Sequence, residues 1–170
     1  MACKCFDYII LTEGLSLKEK LSLCKCKCNA RFSAEENKQV FILADAAIED
    51  VEKHKIDDGI IKDTINNKCD YLFVYKNRKF FFVELKGSDI RHALTQIKAS
   101  MQFFYKEGII NNTKDMRCCI VFTSYPKDNG TFRKEVIALK KDWKNKVASI
   151  EVYQKSKRME YSVSLDKVLG

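Results

Sequence analysis

Residues 70–86, Asp-Tyr-Leu-Phe-Val-Tyr-Lys-Asn-Arg-Lys-Phe-Phe-Phe-Val-Glu-Leu-Lys, carry two apolar segments around a polar break. Residues 71–75 and 79–83 are rich in aromatic and β-branched side chains, the composition of strands, and Lys76-Asn77-Arg78 between them has the composition of a turn. An antiparallel hairpin centred on Asn77 sets Tyr75 against Lys79, Phe73 against Phe81 and Asp70 against Glu84. Residues directly opposite lie about 4.5–5.5 Å apart at Cβ, where two carboxylates repel. A cation relieves that repulsion, and hard carboxylate oxygens suit magnesium or manganese. Alternation along a strand puts Glu84 and Lys86 on the same face. Two carboxylates and an ammonium therefore converge, an arrangement able to hold a divalent ion and a water beside a phosphate. A solvated strand end is the plain alternative for an acid-Leu-Lys triplet. Against it, Phe80-Phe81-Phe82-Val83 is apolar on both faces, the pattern of a central strand covered on both sides. Charges at the end of a buried strand are costly unless paired or metal-bound.

The flanking segments extend this picture. Gly87 and Ser88 break the strand, and Ser88 is a candidate helix N-cap. Ile90, Ala93, Leu94, Ile97, Met101 and Phe104 follow at helical spacing, with Gly108 as the stop. His92 and Gln96, four apart, share a polar face of that helix. Residues 117–123 read as a further strand, ended by Tyr125-Pro126. Strand, helix, strand implies a crossover connection and an α/β core. Upstream, Ser33-Ala34-Glu35-Glu36 has the form of a capping box. Val40, Leu43, Ala44 and Ala47 would share one face of the helix it opens, with Glu36 at the start of that face. A first strand is expected within residues 51–62, with Asp58-Gly59 as a tight turn; continuation of the helix to Lys53 is the competing reading.

Asp70, followed fourteen residues on by Glu84-x-Lys86, resembles the core motif of the restriction-endonuclease-like, or PD-(D/E)xK, nuclease superfamily. Cys69 stands where the motif's proline would be. The resemblance spans residues 33–124 and implies a helix, three mixed strands, a helix and a further strand (αβββαβ). It implies that Asp70, Glu84 and the carbonyl of Leu85 hold Mg2+ or Mn2+, and that Lys86 orients or activates the attacking water. It also implies a first-helix glutamate that completes the metal site: Glu36 first, or Glu49 or Glu52 if that helix runs on. Gln96 would contact the DNA backbone or a metal-bound water. The expected fold is thus α/β: a mixed central sheet flanked by helices, with an N-terminal cysteine-rich extension and a C-terminal helix plus hairpin. The expected activity is metal-dependent hydrolysis of phosphodiester bonds, in DNA, by an endonuclease of restriction, repair or junction type. Enzymes of this kind often pair so that each subunit cuts one strand; a homodimer is the corresponding expectation, with no interface legible here. The alternative is a nucleic-acid-binding module of the same fold that does not cut. The clustered carboxylates argue against it, since a module that only binds has no use for negative charge beside phosphate.

Composition sets the outer limits. A chain of 170 residues suffices for one domain with a sizeable core, and its one proline, without Gly/Ser-rich linkers or repeats, gives no domain boundary. A net charge of +8 suits a phosphate-backbone partner without being specific for one. The basic excess falls late: Lys140, Lys141, Lys144 and Lys146 surround Trp143 on a helix expected from about Thr131, and Lys155, Lys157 and Arg158 follow. Residues 147–153 and 159–165 pattern as a hairpin around that second group. Lys140, Lys141 and Lys144 are the candidate nucleic-acid-binding residues, a solvated face being the alternative. No apolar run approaches a membrane span, and the N-terminus lacks a secretory signal's apolar core, so a cytoplasmic, reducing location without a membrane partner is expected.

Five of the eight cysteines fall in the first 28 residues: Cys3, Cys5, Cys24, Cys26 and Cys28. A reducing interior speaks against disulfides. These cysteines can supply thiolates to Zn2+, or alternate with lysine on a half-buried strand as small hydrophobes. Zinc there would make the chain a zinc-stabilised interaction protein, a third class that metal analysis would separate. Cys69, Cys118 and Cys119 fall in expected strands and read as core. With His54 and His92 the only histidines, no Gly-x-x-x-x-Gly-Lys-Ser loop and no nucleophile elbow, histidine-rich zinc hydrolysis, ATP-driven work and Ser-His-Asp chemistry lack support.

Overall fold

Aromatic and β-branched density makes residues 71–75 and 79–86 the centre of a sheet. In the computed structural model, which describes residues 14–23, 32–57, 59–61, 67–124 and 130–170, they form strands β4 (Tyr71–Tyr75) and β5 (Lys79–Lys86). Their antiparallel register sets Tyr71 against Val83, Phe73 against Phe81 and Tyr75 against Lys79, the pairing expected for a hairpin centred on Asn77. The three-residue loop is tight because Lys76 and Asn77 both take positive φ, 50° and 48°, and the Arg78 N–H donates to the Tyr75 carbonyl at 3.0 Å.

The expected first strand is β3 (Val51–Lys55), antiparallel to β4. After β5 the chain enters helix α2 (Ile90–Lys106) and returns as β6 (Asp115–Phe122), parallel to β5. The N-cap of α2 is Asp89 rather than Ser88: its carboxylate accepts from the His92 N–H at 2.9 Å. Helix α3 (Gly130–Trp143) then leads to β7 (Ser149–Ser156), parallel to β6. Five strands lie in the order β3-β4-β5-β6-β7. A short helix, α1 (Leu17–Leu23), places Leu17 in the core beside α2 and α3.

Residues 33–47 depart from the helix expected of them. They form β1 (Ser33–Glu36) and β2 (Gln39–Ala44), an antiparallel pair closed by Asn37 and Lys38 at φ 47° and 69°. Gln39, Phe41 and Leu43 are buried in alternation, a period of two that matches a strand. The capping-box pattern is a short-range signal, and pairing of β2 with a distant strand overrides it. Glu49 and Glu52 are therefore on no α-helix; they sit in a short 3-10 helix (Ile48–Asp50) and on β3.

Residues 147–165 depart too. β7 and β8 (Arg158–Ser162) are not a hairpin, because β8 leaves the large sheet and pairs in parallel with β2. The switch occurs at Lys157, φ 62°, whose N–H donates to the Phe122 carbonyl while its own carbonyl accepts from Val40 N–H. With β9 (Lys167–Val168) this makes a second sheet, order β1-β2-β8-β9.

The result is a mixed α/β fold of three layers. The helices cover one face of the five-stranded sheet, burying Leu72, Phe80, Phe82 and Cys118; the small sheet covers the other, burying Phe73, Phe81, Val83 and Cys119. The Phe80–Val83 run is thus apolar on both faces because β5 lies between two cores. Arg117, buried between the sheets, donates to Tyr161 Oη and Ser149 Oγ and pairs with Asp166 at 3.1 Å. No described helix is long and apolar enough to cross a membrane. Cys3, Cys5, Cys24, Cys26, Cys28 and Pro126 lie outside the described residues.

Candidate active site

The C-terminal end of β5 is where the sheet stops being apolar. Asp70 enters β4 directly opposite Glu84, and the two acids are cross-locked through main chain. The Asp70 N–H donates to Glu84 Oε2 at 3.1 Å, and the Leu85 N–H donates to Asp70 Oδ2 at 2.7 Å. In an antiparallel pair a residue turns its N–H and C=O to the same neighbour, so the Leu85 carbonyl also faces the β4 side. Lys86 Nζ lies 3.3 Å from Glu84 Oε1 as an ion pair. The site end of β4 is fixed from the other side by Ile56 N–H, which donates to the Asp70 carbonyl at 2.9 Å.

Burial dominates the electrostatics. Glu84 is fully buried, and removal from water pushes its pKa up to about 8, with Asp70 adding like charge and Lys86 opposing. Burial likewise raises Asp70 to about 6, against the Leu85 N–H, with further like charge from Glu36 and Asp57 and opposition from Lys86. Two carboxyls held this way have two available counter-ions, protons or a metal cation.

The donor chemistry fits a hard divalent ion. Five buried side-chain nitrogens and oxygens among the described residues lack a hydrogen-bond partner. Two are the ring nitrogens of His54, and the other three are Oε1 of Glu84, Gln39 and Gln96. All three oxygens belong to residues in or bonded to the site's own strand ends. Among the described residues no group of three or more His, Cys, Asp or Glu side chains stands ready to ligate. The available set is two carboxylates and the Leu85 carbonyl, which suits Mg2+, an ion that retains several waters.

The other expected residues divide. Glu36 comes from β1, not from a helix; its Oε1 accepts from Tyr71 Oη at 2.8 Å, and its charge reaches Asp70. Gln96 Nε2 donates to the Lys68 carbonyl at 2.8 Å, just ahead of Asp70, so in this form it braces the entry to β4. His92 is exposed. Lys140 pairs with Glu151 at 2.6 Å near the start of β7. Glu151 is in register with Arg117 and Phe81, short of the acid pair, and α3 runs on from Lys140 and Lys141 toward Lys144 and the start of β7, away from Glu84. The second basic group is nearer: Lys157 and Arg158 are exposed where β6 ends, beside Lys38 at the β1–β2 turn.

Sequence reasoning passed over Gln39, Tyr71 and Asp57. Gln39 Nε2 donates to the Lys86 carbonyl at 3.1 Å, and Asp57 lies 3.7 Å from Lys68 Nζ. Reading Asn37-Lys38 as a turn would have brought Gln39 and Glu36 to one end of a hairpin; nothing marks Asp57. Cys69 stands where the resembled motif would have proline. The Cys69 N–H donates to Ser100 Oγ at 2.9 Å, a bond that proline cannot make.

Against this geometry the comparisons with known proteins are silent: no family model, no curated protein and no solved structure matches the chain.

Proposed function

We propose that this chain is a metal-dependent nuclease that hydrolyses phosphodiester bonds in DNA, with its centre at Asp70, Glu84, the Leu85 carbonyl and Lys86. The observation that carries the proposal is the cross-locked acid pair with Lys86 at the end of a doubly buried strand. The fold gains nothing in stability from two facing carboxyls there, so their presence asks for a cation. The order β3-β4-β5-α2-β6 supports the reading, since three strands, a helix and a further strand are the later part of the αβββαβ pattern. The β1–β2 hairpin stands where that pattern has its first helix.

A bound Mg2+ or Mn2+ would polarise the phosphate and lower the pKa of a coordinated water. Asp70 and Glu84 would hold it, with Leu85 contributing its carbonyl oxygen. Lys86, anchored by Glu84, would keep its ammonium where the phosphate gains negative charge and orient the water for attack. Lys38, Lys157 and Arg158 would attract the backbone to this end of the sheet. Arg158 is also held by Glu160 at 2.5 Å, which leaves Lys38 and Lys157 the freer cations of the three.

The test is conversion of supercoiled plasmid, with a branched DNA alongside, in Mg2+ or Mn2+ and in EDTA. Wild type is expected to nick or linearise only with metal, and Glu84→Gln and Lys86→Ala are each expected to lose at least about 100-fold in rate. Cutting that survives both substitutions overturns the site. Salt-sensitive binding without cutting favours the non-cutting module.

A further inference from the structure

We propose that Gln39 is an outer-sphere ligand of the cation centre: its Nε2 is fixed on the Lys86 carbonyl, and its Oε1 accepts a hydrogen bond from a water on the cation. The inference rests on the reading of Asp70 and Glu84 as that centre.

Gln39 opens β2 immediately after the Asn37-Lys38 turn and pairs with Glu36 across it. Its side chain is 1% exposed. A carbonyl can only accept, so the bond to the Lys86 carbonyl at 3.1 Å assigns the amide nitrogen to that side and turns the oxygen the other way. Oε1 then has no donor. A buried acceptor without a donor costs free energy that an apolar chain of the same length would avoid. Such a group is explained when something outside the chain supplies the donor.

The surroundings indicate what that donor is. Gln96 Oε1 lacks a partner too, Glu84 Oε1 has only the Lys86 ammonium at 3.3 Å, and Glu36 and Asp70 add further acceptor oxygens. Acceptor oxygens that meet at one strand end suit a cation and its waters, since a coordinated water presents two strong donors. Gln39 arrives from the small sheet, on a different strand from either carboxylate. That origin suits the outer sphere, where a residue acts through a water and through the strand end it holds. The Nε2 bond also ties the β1–β2 hairpin to Lys86.

Titration calorimetry with MnCl2 on the full chain, without nucleic acid, tests this directly. Wild type, Gln39→Met, Gln39→Asn and Asp70→Asn are compared, with metal-free melting curves for each. Gln39→Met keeps length and apolar volume; it is expected to bind Mn2+ about 10–100-fold more weakly while melting close to wild type without metal. If it melts far below wild type, Gln39→Asn, which withdraws the amide by one methylene, carries the comparison with the same expected loss. Gln39 variants that bind Mn2+ as tightly as wild type, while Asp70→Asn loses it, overturn the role of Gln39 and leave the centre standing. A wild type that binds no Mn2+, or binds it regardless of Asp70→Asn, overturns the centre and this inference with it.

Discussion

Glu84 and Asp70 are acids that the folded chain holds more readily protonated than the unfolded chain does. Their folded pKa values, about 8 and about 6, stand above the ordinary 4.5 and 3.8. Between those limits the folded state binds more protons than the unfolded, so stability is present at low pH and is lost as pH rises through the folded values. Metal-free melting temperatures are expected to fall from about pH 5 to about pH 8. Glu84→Gln should flatten most of that slope and melt higher than wild type at its alkaline end. Mg2+ should restore wild type there, because it binds only the folded form. A melting temperature that rises across the window contradicts the account. At position 69 the expected effect is opposite in kind: Cys69→Pro should cost about 1–3 kcal/mol in urea unfolding by orphaning Ser100 Oγ and straining the entry to β4. Asp70, Glu84 and Lys86 were legible in the sequence because hairpin register is local: one turn fixes which residues face each other. Gln39 was not, since its partner is 47 residues away.

The β1–β2 hairpin shows how an element misleads. Ser33 to Glu36 carry a capping box, and Val40, Leu43 and Ala44 fit a helical stripe, yet the same apolar run fits a strand. The deciding residues, Asn37 and Lys38, carry no glycine to announce a turn. That gives a discriminating substitution. Lys38→Gly relieves a side chain at positive φ and should stabilise by about 0.5–1 kcal/mol, whereas in the interior of a helix it would cost about 1 kcal/mol. Chemical denaturation separates the signs. β7 and β8 make the complementary case. Their composition marks both as strands, but composition does not name a partner, and Lys157 sends them to different sheets. The crossover β5-α2-β6 was legible in full because helical period and strand composition are both strong there. Its core is correspondingly sensitive: Phe82→Ala, which removes a ring packed edge-on against Phe104 at 5.6 Å, should cost about 3–5 kcal/mol.

At the scale of the whole molecule the sheet has two chemically different ends. One gathers Asp70, Glu84, Lys86, the β1–β2 turn and Lys157; toward the other lie the Arg117–Asp166 network, Lys140 on Glu151 level with Arg117, and Lys141 and Lys144 at the end of α3. A charge cluster visible in sequence says nothing of which end it occupies, and for that reason composition alone favoured the more distant lysines. With a net charge of +8, binding to nucleic acid should weaken steeply with salt. Lys38→Glu with Lys157→Glu should weaken duplex binding more than Lys141→Glu with Lys144→Glu at equal change of net charge, as read by fluorescence anisotropy. Equal losses would mean that net charge, not the site end, governs binding.

The central question is whether a divalent ion sits between the half-buried Asp70 and the fully buried Glu84. Crystals soaked in MnCl2 and measured at the manganese edge answer that by position. An anomalous peak within about 2.5 Å of carboxylate oxygens of both Asp70 and Glu84, on the side of the Leu85 carbonyl, absent from Asp70→Asn crystals, is the result expected. A peak elsewhere, or none at a concentration where the wild type cuts DNA, would contradict the claim that these residues form the metal centre.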